Sequence, residues 1–149
     1  MIEFDIPGHA ASWCTGYPEI CPSDTCLQPL DPSSEVTFEL IEALLGECTG
    51  NAPLKGLFPY SMLHLGGDEV DYSCWTRSTQ VQEWAKQQGY TSNEDIYKYF
   101  FDRAATITRE QGRTPVQWVE HFGDTLDNNT LVHVWKDKST LNNVLESGY

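Results

Sequence analysis

His64-Leu65-Gly66-Gly67-Asp68-Glu69-Val70 decides how this chain is read. An apolar, strand-like run, Tyr60 to Leu65, stops at two glycines, and two adjacent carboxylates follow at once. Glycines permit a tight backbone path that side-chain-bearing residues resist. Such a turn can hold Asp68 and Glu69 at the mouth of a sheet, and acids are rarely buried there without a partner. Working outward, Ile2 to Ile6, Ser61 to Leu65, Thr114 to Trp118 and Leu131 to Trp135 read as four strands. Between them, Val36 to Cys48, Thr79 to Gln88 and Glu94 to Gln111 read as helices, and Thr140 to Glu146 begins a last one. Val36, Leu40, Ile41, Leu44 and Leu45 form one stripe, with Ser33 or Ser34 as cap. Ile96, Tyr97, Phe100, Phe101, Ala104 and Ile107 form another, capped by Ser92 with Asp95 and ended by Gly112. Pro7 to Ser34 reads as a long loop rich in Pro, Ser and Cys. Strands alternating with helices imply an α/β fold with a parallel sheet.

The composition narrows the function. The chain has 149 residues, 40% hydrophobic and 12% aromatic, which suits a globular protein. Its formal net charge is −13, from 22 acidic and 9 basic residues. That opposes binding to nucleic-acid phosphates, which takes clustered Lys and Arg. No apolar run is long enough to span a membrane, and Ile2-Glu3-Phe4-Asp5 after Met1 is not a signal peptide. The five cysteines, with a sequon at Asn128-Asn129-Thr130, favour an oxidising route.

His64-x-Gly66-Gly67-Asp68-Glu69 resembles the active-site signature of the family 20 glycoside hydrolases, the β-N-acetylhexosaminidases. Four other segments agree, in order. Glu3-Phe4-Asp5-Ile6-Pro7-Gly8-His9 resembles the preceding strand and loop, and Val70-Asp71-Tyr72-Ser73-Cys74-Trp75 the continuation after the acids. Pro115-Val116-Gln117-Trp118-Val119-Glu120 and Val132-His133-Val134-Trp135 resemble the next two strands. The resemblance implies part of a single (β/α)8 barrel, about its strands 3 to 6 with their helices, the N- and C-terminal parts of the barrel lying outside residues 1–149. On this reading Met1 is internal and the chain alone is inactive. The site-bearing residues all fall at C-terminal strand ends, where such a barrel carries its active site.

What the resemblance implies for single residues follows from its chemistry. Most glycosidases set two carboxyl groups on opposite sides of the scissile bond, and neighbours such as Asp68 and Glu69 fit that plan badly. They fit the substrate-assisted exception, in which the substrate's own 2-acetamido carbonyl attacks the anomeric carbon. The resemblance assigns Glu69 as general acid and base and Asp68 as the group that orients the acetamido. It makes His9 the contact that tunes the proton on Glu69, backed in the family by an aspartate from an earlier strand. A general acid must keep its proton until needed, and burial of Glu69 beside Asp68 is expected to favour that. Trp118 and Trp135 are expected to wall the acetamido pocket, with Glu120 binding sugar hydroxyls or supporting the site. Asp5 and His64 are expected to hydrogen-bond or pack inside the barrel, and Trp13 and Trp75 to pack in loops. The resemblance pairs Cys26 with Cys74, while Cys14 and Cys21 suit a small second loop and Cys48 is left over. It implies a carbohydrate partner, no metal and no cofactor, and a homodimer for the full-length protein. Two other readings stand beside it: an inactive or sugar-binding protein that keeps half of the pocket, and a metal-dependent hydrolase using His9, His64, Asp68 and Glu69.

Overall fold

A computed structural model describes residues 1–50, 56–120, 122 and 129–149. Three parallel strands form its sheet in the order β1 (Met62–His64), β2 (Thr114–Trp118), β3 (Leu131–His133). Leu63 sits opposite Pro115, and Trp118 opposite His133. This is the α/β arrangement expected of alternating strands and helices.

The first segment departs from expectation. Ile2 to Ile6 runs beside β1 and exchanges backbone hydrogen bonds with it, Phe4 N–H to His64 O at 2.9 Å and Ile6 N–H to Leu65 O at 2.8 Å. Yet its strand character shrinks to one parallel bridge at Glu3. Asp5 is the reason: its φ of 51° leaves the extended region, and no strand propagates through such a residue. The fourth expected strand is likewise shorter and ends at His133, leaving Trp135 two residues beyond it.

The helices are α1 (Ala11–Gly16), α2 (Glu35–Thr49), α3 (Ser73–Arg77), α4 (Thr79–Gln88), α5 (Asn93–Glu110) and α6 (Lys138–Glu146). Both α1 and a 3₁₀ turn at Pro18–Ile20 lie inside the expected loop. One or two turns carry too little periodicity to be seen in sequence. The caps of α5 form as expected: Ser92 accepts from Asp95 N–H while the Asp95 carboxylate accepts from Ser92 N–H. Gly89 ends α4 in the left-handed conformation. On α2, Ser34 holds the cap position without a side-chain bond, and the Ser33 hydroxyl donates to Asp31. The buried face of α2 is Phe38, Ile41, Leu45 and Cys48 rather than a stripe begun by Val36, which is exposed.

The core lies between the sheet and α2 and α5. Phe38 meets Phe100 at 5.2 Å between ring centroids. Ile41, Leu45, Phe101, Ala104, Leu63 and Leu65 complete it. Each large apolar side chain buried here contributes about 1.5–3 kcal/mol relative to exposure. Two disulfides, Cys14–Cys21 and Cys26–Cys74, fasten the loop after His9. The second ties it to α3, just past the acid pair. Cys48 is buried and joined to no other cysteine. Asn128 of the sequon lies outside the described residues.

Candidate active site

The site grows from the end of β1. After Leu65 the chain turns through Gly66 and Gly67, at φ of 82° and 104°. A Cβ on Gly66 would stand 2.3 Å from the Asp5 Cα, and one on Gly67 2.3 Å from the Phe101 ring. Glycine is required twice over, by backbone sign and by space. From above, the Tyr97 hydroxyl of α5 donates to Gly67 O at 2.5 Å. From below, Gly66 N–H donates to His64 Nδ1 at 3.0 Å. The turn is therefore clamped on both sides by buried side chains.

That clamp fixes the state of His64. An Nδ1 that accepts from Gly66 leaves the proton on Nε2, which then donates to His133 Nδ1 at 3.3 Å. Burial pushes the His64 imidazole below its ordinary range for protonation, and the neutral ring is the one the network needs. Glu3 Oε1 approaches Nδ1 at 3.3 Å but takes its hydrogen bond from the Trp118 indole N–H at 2.6 Å. His64 is thus a packed, hydrogen-bonded strand residue, as expected.

Asp68 and Glu69 leave this rigid turn in different directions. The Oδ1 of Asp68 is buried without a hydrogen-bond partner. Glu69, at a φ of 52°, projects outward, and its side chain is 65% exposed. The expected burial of Glu69 is not found among the described residues. His9, also at positive φ, brings Nε2 to 4.0 Å from Glu69 Oε2 and Nδ1 to 3.9 Å from Asp5 Oδ2. A carboxylate behind His9 thus comes from its own segment. Burial, and then the charge of Asp68, push Asp5 from its ordinary 3.8 up to about 6.

The two tryptophans take different surroundings. Trp118, at the end of β2, stacks on His133 at 4.2 Å and lies 4.7 Å from His64. Trp135 is 50% exposed. Its indole N–H donates to both oxygens of Glu120, at 3.1 and 3.3 Å, and Lys136 Nζ pairs with the same carboxylate at 3.0 Å. Glu120 is therefore engaged in holding Trp135. Trp75, as expected for a packing residue, is buried and donates to Leu30 O at 2.9 Å.

The set proposed from sequence for a metal hydrolase does not converge. Among the described residues, the cluster whose donor atoms lie within 4.8 Å of one another is Asp5, His9 and Asp68. His64 is turned into its own network. Sequence reasoning missed three residues, namely Tyr97, His133 and the full part played by Asp5. Tyr97 had a signal, as a hydroxyl on the buried stripe of α5 four residues before Phe101. His133 and Asp5 had only their places in the motif segments Val132-His133-Val134-Trp135 and Glu3-Phe4-Asp5.

The chain is similar to several known proteins. Beta-hexosaminidase 1 of Arabidopsis thaliana is 43% identical over 138 residues, 91% of this chain and 24% of its own length. Beta-hexosaminidase subunit alpha of Mus musculus is 30% identical over 98% of this chain and 28% of its own length. The chain thus spans about a quarter of the curated relatives it matches. In structure it resembles a Flavobacterium johnsoniae chitobiase, with a TM-score of 0.83 and 28% identity over 99% of this chain and 24% of that one. A Vibrio harveyi exo-β-N-acetylglucosaminidase, at 23% identity and a TM-score of 0.84 over 99% of this chain and 24% of that one, shares the fold. The model of the glycosyl hydrolase family 20 catalytic domain matches residues 1–149, and the chain belongs to that family.

Proposed function

We propose that this chain carries the reacting carboxylates of a retaining β-N-acetylhexosaminidase. In this reading it forms about the third to sixth strands of a single (β/α)8 catalytic barrel. The observation that carries the reading is the turn itself. Two adjacent acids on one rigid turn face different surroundings, Asp68 inward with a buried oxygen and Glu69 outward beside His9.

Such a pair cannot straddle a glycosidic bond, but it can serve a substrate that supplies its own nucleophile. The 2-acetamido carbonyl oxygen attacks the anomeric carbon while Glu69 gives its proton to the departing glycosidic oxygen. Asp68 accepts from the acetamido N–H and stabilises the positive charge of the oxazolinium that forms. Water then attacks the same carbon, Glu69 takes its proton, and the two inversions leave configuration retained. Trp118 and Trp135 offer apolar faces to the acetamido and the sugar ring, and Glu120 keeps Trp135 in place. The substrates of this reading are terminal β-linked N-acetylglucosamine or N-acetylgalactosamine residues of glycoconjugates or chitooligosaccharides. Net charge −13 argues against nucleic-acid partners, and no described helix is long and apolar enough to cross a membrane. The two disulfides support a lysosomal, vacuolar or secreted site of action.

The test is Glu69→Gln in a complete catalytic domain containing this chain. Release of a natural sugar leaving group should fall by about 10²–10⁴, the usual worth of a general acid. Release of an acidic nitrophenol should fall far less, since it needs little proton assistance. Equal loss on both substrates, or inverted product, would overturn the assignment.

A further inference from the structure

Asp5 is the group at this site that the proposed reaction leaves unused. It lies directly beneath the turn, where a Cβ on Gly66 would stand 2.3 Å from its Oδ1. Its φ of 51° is an uncommon conformation for a residue with a side chain, and such conformations persist where the surroundings enforce them. Its carboxylate, that of Asp68 and a ring nitrogen of His9 all fall within 4.8 Å of one another. The Oδ1 atoms of both acids are buried without hydrogen-bond partners. Among the described residues, no Lys or Arg counts among the groups that act on Asp5.

Two carboxylates so placed repel each other if both are charged. One proton between them turns the repulsion into a short, charge-assisted hydrogen bond. We infer that Asp5 and Asp68 work as one carboxyl–carboxylate pair, in which Asp5 keeps a proton and donates it as a hydrogen bond that aims Asp68 at the acetamido N–H. The inference rests on the reading of Asp68 given above and makes Asp5 a positioning residue.

The surroundings favour this state. Glu3 and His9 face the pair from the segment of Asp5, His64 from β1 and Tyr97 from α5, while Glu69 stands on the far side of His9. Of the groups acting on Asp5, His9 alone opposes the rise, and it stands 3.9 Å away, half-exposed. Burial and Asp68 outweigh it and lift Asp5 to about 6. The sign of the linkage follows. The folded chain keeps a proton that the unfolded chain releases at an ordinary 3.8, so stability falls as pH rises from about 4 to about 6 and stays lowered above that.

The direct test is ¹³C NMR of aspartate carboxyl carbons in this chain, titrated from pH 3 to 8. One carboxyl should titrate near pH 6. Its signal should vanish in Asp5→Asn, and its midpoint should drop in Asp68→Asn, a second variant that covers misfolding of the first. Aspartates that all titrate near 4 would overturn the pair, whatever the chain's activity. The second test is kinetic, in a complete catalytic domain acting on a nitrophenyl N-acetyl-β-glucosaminide. Asp5→Ala should lower kcat about tenfold with little change in KM, the worth of one hydrogen bond to a charged group. Asp5→Asn, which can still donate, should recover part of that loss and remove the ionisation near pH 6 from the pH profile. If Asn and Ala behave alike, Asp5 does not position Asp68. If the unaltered domain releases no sugar, the functional reading fails while the NMR titration still decides the pair.

Discussion

The two ends of the sheet are built differently. At β1, Leu63, His64 and Leu65 are buried and the following turn is gripped by Tyr97, Phe101 and His64. At β3, Leu131 is 47% exposed, and Trp135 beyond it is held by Glu120 and Lys136. The acids therefore stand on a part of the fold that cannot move without repacking α5. Trp135 stands at the open edge of the described sheet, held by side-chain bonds alone. Transition-state stabilisation needs groups fixed before the substrate arrives, whereas a sugar-stacking face needs only to be near. The difference implies that substitutions at the β1 end damage fold and chemistry together, and that those at the β3 end act on sugar contact alone.

Gly66→Ala is the hardest blow to this contrast. The new methyl would meet the Asp5 backbone, at a φ that side chains resist. Overpacking of about 1–3 kcal/mol adds to backbone strain of about 1–3 kcal/mol, so a loss near 3 kcal/mol or more is expected in urea unfolding. A loss below about 1 kcal/mol would mean that the turn is not clamped.

Trp118 lies between the two ends and should behave so. Trp118→Phe keeps a ring over His133 but removes the N–H that Glu3 accepts. The net worth of such a bond to a charged group is about 1.5–3 kcal/mol when protected, and Glu3 is partly exposed, so about 1 kcal/mol is expected. A double-mutant cycle with Glu3→Gln should show coupling of the same order. Additive effects would place the stabilisation in ring packing instead.

The same contrast governs what could be read in advance. The α4 and α5 helices and β2 were legible because apolar periodicity, caps and terminal glycines all agree there. The turn was legible because Gly66-Gly67 before two acids has few uses. What escaped depends on contacts between distant segments. Nothing local in Glu3-Phe4-Asp5 shows that Asp5 leaves the strand to sit under Gly66. The positive φ of Glu69 is likewise a backbone sign that sequence does not display. The Tyr97 hydroxyl lay in plain view on an apolar stripe, but its target, the Gly67 carbonyl, is 30 residues away. The bond between Trp135 and Glu120 likewise joins the ends of two strands that become neighbours only in the folded sheet.

Trp135→Ala makes the smallest change to the fold and the sharpest statement about the open end. The side chain is half-exposed and outside β3, so stability should change by less than about 0.5 kcal/mol. Lys136 would keep the Glu120 carboxylate paired after the indole is gone, so no buried charge is stranded. In a complete catalytic domain, KM for an N-acetylhexosaminide should rise about tenfold, the scale of one lost aromatic contact. If stability instead falls by 2 kcal/mol or more, Trp135 belongs to the packed framework, and the division between a fixed acid turn and a Trp135 held by side-chain bonds alone does not hold.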